Sequence, residues 1–194
     1  MDRKIRQTRS LQTELKTRAE PESQEMYIEG YFAVFGQETE LWPGAYEEIA
    51  PGAFEDTLGN DIRALINHDT TLVLGRNKAG TLELKTDSYG LWGRIKINPN
   101  DTDAVNLYER VKRGDVNQCS FGFNILEEIT DWRDDGTVKW TLTKIDLHEV
   151  SVCTFPAYEE TGVQARKAEV EQHRQRVLKA KKNKLRERIK CLSS

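Results

Sequence analysis

The sequence is poor in the residues that most often announce a chemistry. Its 194 residues include three cysteines and three histidines. Cys119, Cys153 and Cys191 lack the short paired spacing of a zinc or iron–sulfur site. An odd number of thiols fits a reducing, cytosolic setting. The N-terminus, MDRKIRQTRSLQTELK, has no apolar stretch of signal-peptide length, which argues against Sec-type secretion. No apolar run approaches the roughly 20 residues of a membrane span, so an integral membrane protein of the helical kind is excluded. There is no zinc finger, RNP-like segment, glycine-rich phosphate loop or GxSxG elbow. Apolar residues make up only 37% of the chain and charged residues 31%, which leaves a modest core and some chain outside it.

Charge is abundant and unevenly placed. Residues 1–20 carry six Lys/Arg and three Asp/Glu, and residues 165–194 carry eleven and three. The remaining 144 residues hold 12 basic and 26 acidic side chains, a net of −14 within an overall −3. The chain therefore reads as an acidic globule with basic ends. Basic ends meet polyanions or acidic protein surfaces, or lie back on an acidic body. On these tails alone, a nucleic-acid-binding adaptor is the weakest of the readings considered.

Three regions follow: a polar basic N-terminal arm at 1–25, a domain at 26–164, and a basic helical tail at 165–194. The arm reads as a frayed helix or a disordered segment. Regular structure begins near Met26, where MYIEGYFAVFG is aromatic and β-branched and stops at Gly36. YEEIAPGAFEDTL reads as an extended piece, a Pro-Gly turn and a brief helical turn over 53–58. Short strand candidates follow at 62–67, 71–75, 81–86 and 91–97, with Gly, Asn and Asp between them. DTDAVNLYERVKRG is a helix, capped by Asp101 or Asp103 and ended by Gly114, with Val105, Leu107, Tyr108 and Val111 as its apolar face. Strands resume with QCSFGFNILEEI, then VKWTLTKI and LHEVSVCTF after the hairpin signal at 134–136. The rhythm predicts a mainly β domain, a barrel or sandwich, with one or two helices.

Few residues can carry catalysis. His173 lies in the basic tail and reads as a surface residue. His68 sits where the apolar run Leu65-Ile66 breaks into a polar loop, a position both well held and reachable by substrate. Ser120 lies among small and aromatic residues in Cys119-Ser120-Phe121-Gly122-Phe123, which leaves room for a substrate backbone beside its hydroxyl. Cys119 and Cys153 are rival nucleophiles, but buried thiols are usually inert. A metal site from His68, Asp69, Asp146, His148 and Glu149 has no supporting spacing.

An ordered set of segments is more specific than any of these residues. It comprises Gly30-Tyr31-Phe32-Ala33-Val34-Phe35, Ile49-Ala50-Pro51-Gly52-Ala53-Phe54, Leu65-Ile66-Asn67-His68-Asp69, Leu74-Gly75-Arg76 and Gly90-Leu91-Trp92-Gly93. Ser120-Phe121-Gly122-Phe123 and Leu147-His148-Glu149-Val150-Ser151, with Phe155-Pro156-Ala157, complete it. From Tyr27 to Ala165 the chain resembles the prohead maturation proteases of tailed bacteriophages, relatives of the herpesvirus assemblins. The resemblance implies a serine endopeptidase on a mainly β fold: a β-barrel ringed by a few helices, assemblin-like, here with a basic helical C-terminal arm.

By matching motif, His68 would be the general base and Ser120 the nucleophile. A serine hydroxyl must lose its proton as it attacks, and an imidazole is the natural acceptor. The third member by resemblance is Glu149. Strand alternation places it on a face with Ile145, Leu147 and Cys153, where a carboxylate needs a partner; Asp146 and His148 share the other face and stay in play. Pro156 has no N–H, so the amides of Ala157 or Tyr158 are the candidate oxyanion donors.

The resemblance further implies cleavage of the scaffolding segment of the major capsid protein and of the chain itself. It places the protein in assembling proheads within the host cytoplasm, and by analogy as a homodimer. No cofactor, metal, membrane or specific nucleic acid is expected. The competing reading is a non-enzymatic capsid-assembly protein of the same fold, its basic arm docked on capsid shells.

Overall fold

The computed structural model describes residues 6–12, 15–20, 25–155 and 160–192. Its strands are β1 (Gln7–Gln12), β2 (Lys16–Glu20), β3 (Glu25–Val34), β4 (Thr39–Trp42), β5 (Ala45–Ile49), β6 (Arg63–Ile66), β7 (Asp69–Arg76), β8 (Leu82–Thr86), β9 (Gly90–Ile97), β10 (Gln118–Trp132) and β11 (Val138–Cys153). Among the described residues two α-helices complete the fold, α1 (Thr102–Arg113) and α2 (Glu160–Leu192). The mainly β fold with a C-terminal helix is as expected. The described strands pair as a seven-stranded and a four-stranded sheet rather than as one closed ring.

The long hairpin β10–β11 organises the larger sheet. Its turn is closed by bonds between Arg133 and Thr137 and by Gly136, whose φ of +89° suits glycine alone. The two strands expected after this turn run on as one, β11, carried across register shifts in the ladder. The far half of β11 pairs in parallel with β5, and its near half pairs in parallel with β6. The segment between β5 and β6 fills the gap along β11. Ala50 N–H donates to the Leu142 carbonyl, Ile145 N–H to the Ala53 carbonyl, and Leu147 N–H to Thr57 Oγ1. Residues 51–59 form consecutive tight turns rather than a helix.

The smaller sheet, β2-β3-β9-β8, lays Ile28, Phe32, Leu91 and Ile95 against Phe121, Phe123, Leu147 and Val150 of the larger one. Leu107, Tyr108 and Val111 of α1 join this core. Each such side chain stabilises the fold by about 1.5–3 kcal/mol. Asp101 caps α1 by accepting from the N–H groups of Asp103 and Ala104, and Gly114 ends it with a left-handed residue.

Both basic ends are more engaged than their composition predicts. Residues 7–12 and 16–20 are strands, not a frayed helix or loose arm, because β10 and β3 offer them open edges. Backbone pairing is indifferent to polar side chains, so composition could not reveal it. The first turns of α2 also rest on the body: Val170 is buried with Ala45, Val138 and Trp140, and Arg166 is buried against the Trp140 ring. Leu178 and Leu185 further along are exposed.

Candidate active site

The site lies on one face of β10 and β11. Directly opposed residues of an antiparallel pair share a face. Ser120 is opposite Ser151, and Gly122 is opposite Glu149. β6 borders β11 on its other side and ends at Ile66, where a two-residue turn, Asn67-His68, leads into β7. Both turn residues have positive φ, 50° and 63°, the backbone of a tight hairpin turn. For histidine this conformation is costly, and it persists only where its surroundings impose it. Here Asn67 N–H donates to the Val152 carbonyl, Thr154 N–H to Asn67 Oδ1, and His68 N–H to Ser151 Oγ. The turn aims the imidazole across β11.

His68 Nδ1 lies 2.7 Å from Glu149 Oε1. Glu149 is only 2% exposed. Its other oxygen accepts from Ser151 Oγ at 2.6 Å, and Oε1 also accepts from Arg6 at 2.8 Å. Burial alone would push this carboxyl up. The hydrogen bonds from His68 and Ser151 and the charges of His68 and Arg6 outweigh it and hold the group below the usual carboxylate range. An ionised acceptor at Nδ1 fixes the tautomer that leaves the Nε2 lone pair available. His68 Nε2 is buried and has no hydrogen-bond partner among the described residues. Gly122 makes room for this cluster, since a Cβ there would lie 2.3 Å from Glu149 Oε1.

Ser120 is fully buried and donates its hydroxyl proton to the Arg9 carbonyl at 2.8 Å. It is covered by β1, which pairs with β10 so that Ser10 stands opposite Ser120. The three residues singled out from sequence thus share one face, with His68 and Glu149 in contact and Ser120 turned to the neighbouring strand.

The rival residues lie elsewhere. His148 bonds Asn124, and Asp146 accepts from Asn60; the bulge at His148 leaves Asp146, opposite Asn124, on the face of Gly122 and Ser120 but farther along the strands. Asp69 is engaged by Thr71. Of the five residues weighed for a metal site, His68 bonds Glu149 and His148 Nε2 lies 3.9 Å from Asp146, and the described residues contain no group of three such ligands. Burial pushes the Cys153 thiol up to about 12 and the Cys119 thiol higher still, so neither supplies a thiolate near neutrality. His173 of α2 packs against the Trp132 ring at the end of β10. Ala157 and Tyr158, the expected oxyanion donors, lie outside the described residues.

Sequence reasoning missed three contributors. Ser151, two residues beyond Glu149 and hence on its face, was legible by strand alternation. Gly122 was legible only as a small residue near Ser120. Arg6, 143 residues from its partner, carried no signal.

Comparison with known proteins places the chain in a family. A prohead protease of Enterobacteria phage HK97 is 31% identical over 145 residues, covering 73% of this chain; the match spans 60% of that relative's length. The solved capsid assembly protease of bacteriophage T4 aligns with a TM-score of 0.43 and 11% identity, covering 76% of this chain and 98% of that one. The model of the caudovirus prohead serine proteases matches residues 13–176. That span takes in β2 to the first half of α2, with all three site residues inside it, and the chain belongs to the caudovirus prohead serine protease family.

Proposed function

We propose that this chain is a serine endopeptidase of capsid maturation, with Ser120 as nucleophile, His68 as general base and Glu149 as the carboxylate that orients and charges the base. One observation carries the reading: the 2.7 Å contact between His68 Nδ1 and buried Glu149 on the face that bears Ser120. A buried carboxylate bonded to imidazole holds the ring in orientation and stabilises the imidazolium that forms as the serine attacks. The Ser120 proton passes to Nε2, and the imidazolium that forms faces an ionised Glu149. The same proton then goes to the leaving amine, and water repeats the sequence to release the acyl group. Peptide hydrolysis by this route uses no cofactor or metal. The substrates are the scaffolding segment of the major capsid protein and the chain itself, cut inside assembling proheads in the host cytoplasm.

The test is co-expression with the capsid protein, followed by intact mass. The wild type sheds the scaffolding segment, whereas Ser120→Ala and His68→Ala leave it in place. Full-length capsid protein in all three would instead make this a non-enzymatic assembly protein.

A further inference from the structure

The proposed catalytic serine is covered by the chain's own N-terminal strand. β1 runs antiparallel along the edge of β10 for six residues, from Gln7 opposite Phe123 to Gln12 opposite Gln118. The carbonyl at the Ser120 hydroxyl is that of Arg9. The strand is thereby divided at the serine: Gln7, Thr8 and Arg9 pair with residues 121–123, and Ser10, Leu11 and Gln12 with residues 118–120. A peptide laid against a sheet edge is held by backbone bonds that any sequence can make, so selection falls to side-chain pockets.

Arg9 occupies such a pocket. Its Nε and NH2 groups engage Glu47 Oε1 and Oε2 at 2.5 and 2.9 Å, a two-pronged pairing that guanidinium makes and ammonium does not. The guanidinium also lies 5.6 Å from the centroid of the Phe123 ring. Arg9 and Glu47 border a small cavity that Val34, Leu41, Ile49 and Phe121 help line. Glu47 is buried, and its second partner is Arg166 at 2.6 Å; Arg166 also pairs with Glu128. The body therefore contributes two carboxylates and one guanidinium to this cluster. Arg9 supplies the missing positive charge.

We infer that β1 is a substrate strand seated in the active-site cleft, that the Glu47 pocket selects arginine immediately before the scissile bond, and that Arg9–Ser10 is a bond the enzyme cuts in itself. This rests on the proteolytic reading above and names its substrate class. The pose is a ground state, with the hydroxyl proton on the carbonyl oxygen. When that proton turns to His68 Nε2, Ser120 Oγ bonds to the Arg9 carbonyl carbon. The C–N bond to Ser10 breaks, and the proton leaves on the Ser10 amine. Water then hydrolyses the ester, restoring Ser120 and leaving a carboxylate on Arg9. Release of the cut strand uncovers Ser120 for other polypeptides.

The full-length chain is followed by intact mass, and the peptide RQTRSLQTE is assayed with Arg, Lys, Ala or Glu at its fourth position. The expected results are a new N-terminus at Ser10 in the wild type and none in Ser120→Ala. The peptide should be cut between Arg and Ser, with kcat/KM for Arg at least about tenfold above Ala and Glu. Glu47→Gln should shrink that ratio; if the variant does not fold, the wild-type peptide series decides alone. Ser120-dependent cleavage that avoids the Arg9–Ser10 bond and shows no preference for arginine overturns the inference and leaves the protease standing. Absence of Ser120-dependent cleavage of chain, peptide and capsid protein removes both.

Discussion

Two buried carboxylates in this protein have similar surroundings and different proposed work. Glu47 is clamped between two guanidiniums, Arg9 and Arg166, which stay charged at any ordinary pH. Glu149 faces His68 and Ser151, and a single half-exposed arginine, Arg6. Both are held below the usual carboxylate range in spite of burial. A carboxylate locked to permanent cations can only hold and select. One bonded to an imidazole can support a proton transfer, because its partner can take up and release a proton at its other nitrogen. The contrast between the proposed binding carboxylate and the proposed proton-steering one sets what each substitution should do.

The largest effects should come from the groups that exchange the proton. Ser120→Ala and His68→Ala are each expected to lower peptide hydrolysis by roughly 10⁴-fold or more, and the double variant little further, since the two act as a unit. Steady-state rates on a quenched peptide measure this, with circular dichroism confirming the fold. Glu149→Gln should cost roughly 10²–10⁴-fold while Asp146→Asn and His148→Ala cost far less, because an amide leaves the imidazolium uncompensated. A crippled Asp146→Asn variant would reassign the third residue.

Gly122→Ala separates positioning from chemistry. Its Cβ would sit 2.3 Å from Glu149 Oε1, so the carboxylate must shift. A displacement near 1 Å is expected to cost on the order of 10²-fold in rate. The proton-transfer groups themselves remain in place.

Glu47→Gln should act on stability more than on the chemical step. It leaves the buried Arg166 with one carboxylate instead of two and strips Arg9 of its ionic partner. Breaking a buried pair costs about 3–5 kcal/mol, readable as a fall in the urea midpoint. Acid tests both carboxylates together. Their folded-state affinity for protons is lowered, so their stabilisation is present above the ordinary carboxylate range and is lost as pH falls through their folded values. Urea midpoints should therefore drop below about pH 4.5, and less steeply for Glu47→Gln than for the wild type.

The smallest effect concerns the tail. Beyond Arg174, which donates to the Pro43 carbonyl, α2 is largely exposed and rich in Lys and Arg. A docking arm for acidic scaffolding surface is the proposed role. Removal of residues 178–194 from Ser120→Ala should lower its co-assembly with capsid protein in a salt-dependent way, without changing the thermal midpoint of the body. Equal incorporation would show that this stretch does not dock.

Much of the body was legible because alternation and turn chemistry are local. The runs at 62–67, 71–75, 81–86 and 91–97 became β6 to β9, and Asp101 and Gly114 bound α1 as their residue types demand. His68, Ser120 and Glu149 came from ordered motifs; alternation misplaced Glu149 beside Ile145 and Leu147, because the bulge at His148 breaks the period and turns Glu149 to the face of Gly122 and Ser120, away from that core. The ends of the chain were not legible. β1 and β2 have no apolar stripe to betray them, since their pairing depends on edges supplied by strands far along the sequence. Glu47 gave no signal either, because a glutamate in a short strand is ordinary until Arg9 and Arg166 converge on it from opposite ends of the chain.

The central claim is that Ser120 is a nucleophile activated by His68. The direct measurement is to incubate the full chain with a fluorophosphonate ester and locate the adduct by tandem mass spectrometry. The account predicts one adduct, on Ser120, absent from His68→Ala and strongly slowed in Glu149→Gln. An adduct on another residue, or labelling of Ser120 that His68→Ala leaves unchanged, would contradict it.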